Sequence, residues 1–126
     1  VTDPEATRFH MTQQQAVELV LLALKNMQGG EVFIPKLRSY RLGDLVQVVT
    51  GHSGQVVGPR PAEKTHEVLV SHDEIRTARD FGDHIRLIPE IHPWRSNGGP
   101  GGHALRGYDY CSEDVVLGLE DLRAAL

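Results

Sequence analysis

The segment from Thr12 to Gly30 constrains the fold most, because its apolar residues recur at the spacing of an α-helix. Thr12 and Gln15 match a capping box, in which each side chain accepts a hydrogen bond from the other residue's backbone N–H. Gly29 and Gly30 supply the stop signal. We predict a helix over about residues 12–28, with nearly all of its side chains in the core. Its apolar positions are Ala16, Val17, Leu19, Val20, Leu21, Leu22, Leu24 and Met27.

The rest of the chain alternates short strand and helix patterns. Strands are predicted at about residues 31–35, 55–57 and 85–89, and helices at about 41–50 and from Gly118 onward. Residues 66–71 fit either a strand or the end of a helical turn, and 71–74 fit a turn. This order favours a small mixed α/β (or α+β) domain with two to four helices, and not a complete doubly wound sheet.

Length and charge limit the classes of function. A chain of 126 residues suits one domain, with a core at about 1–90, a Gly-rich and mobile insertion at 92–107, and a closing segment at 108–126. The net charge of −4 argues against general nucleic-acid binding. The longest apolar segment, at 16–24, is broken by Glu18 and is too short to span a bilayer. Cys111 has no cysteine to pair with, so we expect a reducing compartment, the cytoplasm.

The spacing of the histidines and the surroundings of Cys111 in the sequence give little support for a metal site or a catalytic nucleophile. The chain has seven histidines, but His66 and His72 lie six residues apart where a zincin helix needs four, so we predict no metal site. Nothing near Cys111 in the sequence supplies a base. The glycines at 98–102 follow no apolar strand and open no amphipathic helix, so they are not a dinucleotide fingerprint.

A Pro-braced charge cluster at residues 58–67 is the strongest candidate site. Pro59 and Pro61 hold Arg60 in extended chain, which presents a guanidinium suited to a phosphate or a carboxylate. Glu63 follows three residues later, and an Arg for phosphate with a carboxylate for hydroxyls would suit a nucleotide. The alternative is a Pro-rich loop with solvated charges, which the spacing alone favours.

Four stretches taken together resemble the carboxy-terminal part of the inverting nucleotide-sugar 4,6-dehydratases. These are extended short-chain dehydrogenases/reductases of bacterial polysaccharide synthesis that act on UDP-N-acetylglucosamine. The stretches are Thr2-Asp3-Pro4 with Thr7-Arg8-Phe9 and Met11-Thr12; Gly29 to Lys36; Arg60 to Glu67; and Tyr110-Cys111-Ser112 with Leu119 to Leu122. The resemblance implies a substrate lobe that closes over a nucleotide sugar.

The resemblance also implies roles for individual residues. Arg8 and Arg60 would contact the substrate diphosphate, and Glu63 the ribose. Without the resemblance, a salt bridge from Arg8 to Asp3 or Glu5 would be favoured. Ala62 stands where the family motif has glycine, so a turn that needs positive φ there would be strained.

The family's cofactor-binding half has no counterpart in this sequence. There is no Gly-x-x-Gly-x-x-Gly after a strand and no Tyr-x-x-x-Lys, so NAD(P) would bind a Rossmann domain outside this chain and the chain alone should not catalyse the family reaction. The expected function is a UDP-sugar-binding lobe. The alternatives are an interaction or oligomerisation module that kept the fold, and a fragment of a full-length dehydratase. Expected partners are a UDP-sugar and either a second copy or a separate Rossmann-domain chain, with no nucleic acid and no membrane.

Overall fold

The computed structural model describes residues 1–90, 101–105, 107 and 109–126. These residues form eight short strands and four α-helices, which confirms the mixed α/β class. No helix among them is long and apolar enough to cross a membrane. The strands are β1 (Thr7–His10), β2 (Val32–Pro35), β3 (Arg38–Arg41), β4 (Val68–Val70), β5 (Ala78–Asp80), β6 (His84–Leu87), β7 (His103–Ala104) and β8 (Tyr110–Cys111). The helices are α1 (Gln13–Asn26), α2 (Leu42–Thr50), α3 (His72–Ile75) and α4 (Leu119–Ala125).

The chain divides into two compact units, each assembled from separate stretches of sequence. The first unit comprises residues 1–10, 37–68 and 111–126, and the second comprises 11–36 and 69–110. Whether they fold as the single domain expected from the chain length stays a prediction.

The first unit is built on an antiparallel pair of strands, β1 and β3, in which Arg8 lies opposite Tyr40. Helix α2 follows β3 directly, and its first amides are bonded by carbonyls of the opening segment: Leu42 N–H to Ala6 and Gly43 N–H to Pro4, both at 2.9 Å. A 3₁₀ turn at Ser112–Val115 and helix α4 complete the unit. The buried residues of this unit are Ala6, Thr7, Leu37, Ser39, Ser112 and Leu122.

The second unit contains a four-stranded antiparallel sheet in the order β2-β6-β5-β7. One cluster of buried apolar residues forms its core: Ile34, Val70, Ala78 and Ile85. Because side chains alternate along a strand, the neighbours His84 and Arg86 lie on the other face of β6. There Arg86 lies over the rings of Phe33 and Phe81, at 4.7 and 4.1 Å from their centroids.

Several predicted elements are confirmed. Helix α1 carries the predicted capping box between Thr12 and Gln15. Helix α2 and strands β2 and β6 lie within a residue of their predicted starts, and α4 follows Gly118. Residues 68–70 form a strand, which settles the ambiguity left by the sequence.

Other predictions were wrong. Residues 55–57 form no strand, and residues 72–75 form a short helix capped by Ser71 and Glu74 where a turn was predicted. Strands β1 and β3 were not predicted, because their sequences are polar and lack the alternation of a half-buried strand. The insertion predicted at 92–107 lies largely outside the described residues.

The prediction that α1 is nearly all core was also wrong. None of its residues is fully buried, and five large apolar side chains on or just after the helix are more than half exposed: Val17, Val20, Leu21, Leu24 and Met27. The partly buried Leu19, Leu22 and Ala23 lie on the packed side of the helix. Periodicity showed that α1 has apolar faces, but it did not show how many of them the chain itself covers.

Candidate functional site

Residues 60–63 form a tight turn that is bonded at both ends. The Glu63 N–H donates to the Arg60 carbonyl at 3.1 Å, and the Arg60 N–H donates to Glu63 Oε2 at 2.9 Å. Pro61 at the second position and a φ of +62° for Ala62 at the third are the features of a type II turn. The turn therefore folds the Glu63 carboxylate back onto the backbone of Arg60.

The Glu63 carboxylate is held by donors from three parts of the first unit. Thr2 Oγ1 donates to Glu63 Oε1 at 2.7 Å, and Arg8 Nη2 lies 3.7 Å from the same oxygen. The Arg60 amide is the largest cause of a lowered pKa for Glu63, followed by the Thr2 hydroxyl, with further lowering by the charges of Arg60 and Arg8. Glu63 is therefore an anion at neutral pH.

The Arg8 guanidinium is fixed by backbone carbonyls. Nη1 donates to the carbonyls of Thr7 at 2.7 Å and Thr65 at 3.1 Å, and Nη2 donates to the Lys64 carbonyl at 3.0 Å. Nε lies 3.5 Å from Glu67 Oε1, and the side chain is 20% exposed. The guanidinium therefore has a defined orientation before any ligand binds.

The alternative in which Arg8 pairs with Asp3 or Glu5 was wrong. The Asp3 carboxylate accepts the Glu5 N–H at 2.9 Å, and the Glu5 carboxylate lies 3.5 Å from Arg41 Nε. Both acids have partners other than Arg8, while residues 64–67 bring other acceptors to it. That arrangement depends on a contact between β1 and a loop more than fifty residues later, which sequence spacing does not reveal.

Of the three residues predicted as the site, Arg8 lies beside the Glu63 carboxylate, and Arg60 bonds that carboxylate through its backbone N–H. Arg60 is exposed, and its charge and that of Arg8 both act on Glu63. Lys64 and Glu67 are the other charged residues on the loop that carries Arg60 and Glu63. The ligand roles of Arg8, Arg60 and Glu63 stay predictions.

Sequence reasoning missed other parts of this site. Thr2 bonds Glu63, and Glu67 lies beside Arg8. The carbonyls of Lys64 and Thr65 accept from the guanidinium, and backbone acceptors leave no mark in side-chain identity. His66 and Glu67 stand in the charged motif and could have been named from it, whereas Thr2 stands in another stretch of the resemblance and nothing in the spacing connected it to Glu63.

Amides at the start of the two longest helices, where a pyrophosphate could bind, are bonded within the chain. That NAD(P) would bind outside this chain stays a prediction. The first amides of α2 are bonded to Ala6 and Pro4, and a Cβ on Gly43 would lie 3.1 Å from Pro4, so that glycine packs against protein. The N-terminus of α1 is closed by the Thr12 hydroxyl. Within the described ranges, no three His, Cys, Asp or Glu side chains are grouped to hold a metal.

Comparison with known proteins identifies the family. The model of the polysaccharide biosynthesis protein family matches residues 1–89. The chain belongs to this family. It is 34% identical over 92 residues to the inverting UDP-N-acetylglucosamine 4,6-dehydratase of Campylobacter jejuni, a match that covers 72% of this chain and 28% of that enzyme. It is 33% identical over 92 residues to UDP-glucose 4-epimerase of Rickettsia canadensis, covering 69% and 27%.

A solved structure extends the likeness beyond the matched residues. The X-ray structure of Pen from Bacillus thuringiensis superposes with a TM-score of 0.82 at 30% identity, covering 99% of this chain and 38% of that one. The resemblance inferred from the four sequence stretches is therefore confirmed at the level of the family. The chain spans just over a quarter of the length of the two curated relatives, so it corresponds to a part of these proteins.

Proposed function

We propose that this chain is a nucleotide-sugar-binding lobe, in which Arg8 and Arg60 contact the diphosphate of a UDP-sugar and Glu63 the ribose. The observation that carries the proposal is the Glu63 carboxylate, which lies 3.7 Å from the Arg8 guanidinium and accepts the backbone N–H of Arg60. The curated relatives are named as enzymes that act on UDP-N-acetylglucosamine and UDP-glucose. We propose that NAD(P) binds a Rossmann domain and not the residues of this lobe. We place the function in the cytoplasm, where the lone Cys111 would stay reduced.

The state of Arg8 is compatible with this role. Its contacts with Glu67 and Glu63, at 3.5 and 3.7 Å, are longer than the 2.7–2.9 Å typical of charge-assisted hydrogen bonds. A phosphate oxygen can approach Nε and Nη2 more closely than these carboxylates do. Loose ion pairs near the surface contribute about 0–1 kcal/mol, so displacing them costs little.

Calorimetry with UDP-N-acetylglucosamine tests the proposal. We expect heat of binding at millimolar ligand, and about tenfold weaker binding in Arg60→Ala, the effect of one lost charge-assisted contact. Arg123→Ala is the matched control, because Arg123 is an exposed arginine of the same unit that pairs with Glu120 at 3.4 Å. Absence of heat in the parent, or equal affinity in Arg60→Ala, would contradict the proposal.

A second candidate function is an interaction module, and the exposed face of α1 favours it. Val17, Val20, Leu24 and Met27 are spaced alternately three and four residues apart, as in a coiled-coil seam, and Leu21 widens the stripe. A helix that is apolar on more than one face is normally buried on each. We propose a second copy of this chain as the occupant, with the two α1 stripes facing each other.

Light scattering after size exclusion tests this second candidate. A dimer that dissociates in Leu24→Gln, and persists in the control Gln14→Ala, would support it. A strict monomer would refute it, and binding only to a separate cofactor-domain chain would replace the second copy with that partner.

A further inference from the structure

A buried chain of hydroxyl groups joins three distant stretches of the first unit. Thr7 and Ser112 are 2% and 0% exposed, and their side-chain oxygens lie 2.6 Å apart. Thr7 Oγ1 also lies 2.8 Å from His66 Nδ1. The Glu67 N–H donates to Ser112 Oγ at 2.8 Å. Strand β1, the loop at 64–67 and the 3₁₀ turn therefore meet at one polar cluster, which we call the His66 cluster: Thr7, His66 and Ser112.

The His66 cluster accommodates either neutral tautomer of its imidazole. If Nδ1 lacks a proton, Ser112 donates to Thr7 and Thr7 donates to Nδ1. If Nδ1 carries the proton, the direction reverses: His66 donates to Thr7, Thr7 to Ser112, and Ser112 to the Thr7 carbonyl at 3.3 Å. Every hydroxyl has a donor and an acceptor in both arrangements. A change of tautomer therefore reverses the direction of these hydrogen bonds without breaking any of them.

The same loop supplies the carbonyls that hold Arg8. The Thr65 carbonyl accepts from the Thr7 N–H at 2.9 Å and from Arg8 Nη1 at 3.1 Å. The Lys64 carbonyl accepts from Arg8 Nη2 at 3.0 Å. His66 lies between Thr65 and Glu67, and its ring bond to Thr7 fixes the loop at that point. The loop is thus bonded to Thr7 twice, through the Thr65 carbonyl and through the His66 ring.

We propose that His66 is a positioning residue for the candidate site formed by Arg8, Arg60 and Glu63. Through Thr7 and Ser112 it holds the Lys64 and Thr65 carbonyls against the Arg8 guanidinium. The expected effect on binding rests on the proposed nucleotide-sugar function. The expected effect on the orientation of Arg8 rests on the geometry alone. His66 itself does not contact the ligand. Its outer nitrogen lies 3.9 Å from Glu113, whose side chain is 66% exposed, and that pair contributes little.

The test compares His66→Leu with His66→Asn in the full 126-residue chain. Leucine fills space without a polar atom, whereas the asparagine amide can both donate and accept near the position of Nδ1. Two quantities are measured: the affinity for UDP-N-acetylglucosamine, and the ¹⁵N–¹H signal of Arg8 Nε by NMR. We expect His66→Leu to weaken binding about tenfold and to shift or broaden the Arg8 signal, and His66→Asn to restore both.

The two readouts separate this inference from the proposed function. If the parent binds no UDP-sugar, the proposed function fails, while the Arg8 signal still decides the positioning role. An unchanged Arg8 signal in His66→Leu overturns the inference, and so does His66→Asn behaving like His66→Leu. If His66→Leu does not fold, Ser112→Ala replaces it, because it removes the acceptor of the Glu67 N–H without adding volume. A shifted Arg8 signal in Ser112→Ala supports the inference, and an unshifted one refutes it.

Discussion

Ala62 has a backbone conformation that favours glycine, and this makes the turn at the candidate site a measurable source of strain. Its φ of +62° is the one positive value for a non-glycine residue among those that the structure describes. The conformation is imposed by the two hydrogen bonds that join Arg60 to Glu63 across the turn. Replacing Ala62 with glycine should therefore relieve strain without removing a polar contact.

The magnitude follows from two opposing effects. A left-handed backbone costs an L-residue about 1–2 kcal/mol, which the glycine variant recovers. Glycine also gives the unfolded chain more conformations, which lowers stability by about 0.4–1 kcal/mol. We expect Ala62→Gly to stabilise the chain by about 0.5–1 kcal/mol, with a rise in Tm of about 2–6 °C for a chain of this size.

Gly58 provides the matched control in the same loop. Its φ is +86°, and a Cβ placed there meets nothing within 4 Å, so Gly58→Ala carries the backbone cost without a steric clash. The two variants should shift the midpoint of urea unfolding in opposite directions at equal m-value. If Gly58→Ala lowers stability and Ala62→Gly leaves it unchanged or lower, the turn is not strained by Ala62 and the reasoning is refuted.

Three further predictions concern the second unit. The hydrogen bond from the Lys36 ammonium is the largest cause of a lowered pKa for Asp80. The Asp80 carboxylate therefore stabilises the fold above its ordinary pKa of 3.8, and this stabilisation is lost as pH falls below that value. The free energy of unfolding should therefore fall less between pH 5 and pH 3 in Asp80→Asn than in the parent. Gly102→Ala should cost at least about 1 kcal/mol more than Gly82→Ala in urea unfolding, because a Cβ at Gly102 would lie 2.9 Å from the Phe81 ring, whereas at Gly82 nothing lies within 4 Å; equal losses would contradict this. Arg86→Met should destabilise by about 1 kcal/mol through the lost contacts with Phe33 and Phe81, and an unchanged unfolding midpoint would show that these contacts contribute nothing.

Elements whose signal is local were predictable from the sequence. The capping box of α1 and the apolar spacing of α2 involve residues within one or two turns of each other, and both helices form where predicted. Strands β1 and β3 were missed because they are held by each other, thirty residues apart in the sequence, and not by an alternating apolar pattern. The exposure of α1 was missed for a related reason: periodicity identifies an apolar face and does not identify what covers it.

The candidate site shows the same limit more sharply. The sequence placed Glu63 three positions after Arg60 but did not predict the type II turn that joins them, because alanine at position 62 gives no signal for a positive φ. The neighbours of Arg8 were predicted wrongly, since Asp3 and Glu5 are near it in sequence but bond other partners. Long-range carbonyls hold Arg8 instead, and no residue type in the sequence marks a carbonyl as an acceptor.

Arg8 and Arg60 differ in how many donors they commit to the protein, and under the proposed function this difference gives them different tasks. Arg8 gives three N–H groups to the carbonyls of Thr7, Lys64 and Thr65, so its charge is held in place but only part of it can face a ligand. Arg60 is exposed and contributes to the turn through its backbone, so changing its side chain leaves the turn's hydrogen bonds in place. In that function Arg8, which is fixed and has few free donors, would determine where the anion binds. The exposed Arg60 would then donate two parallel hydrogen bonds to it. Binding and stability are for this reason separable at Arg60 and coupled at Arg8.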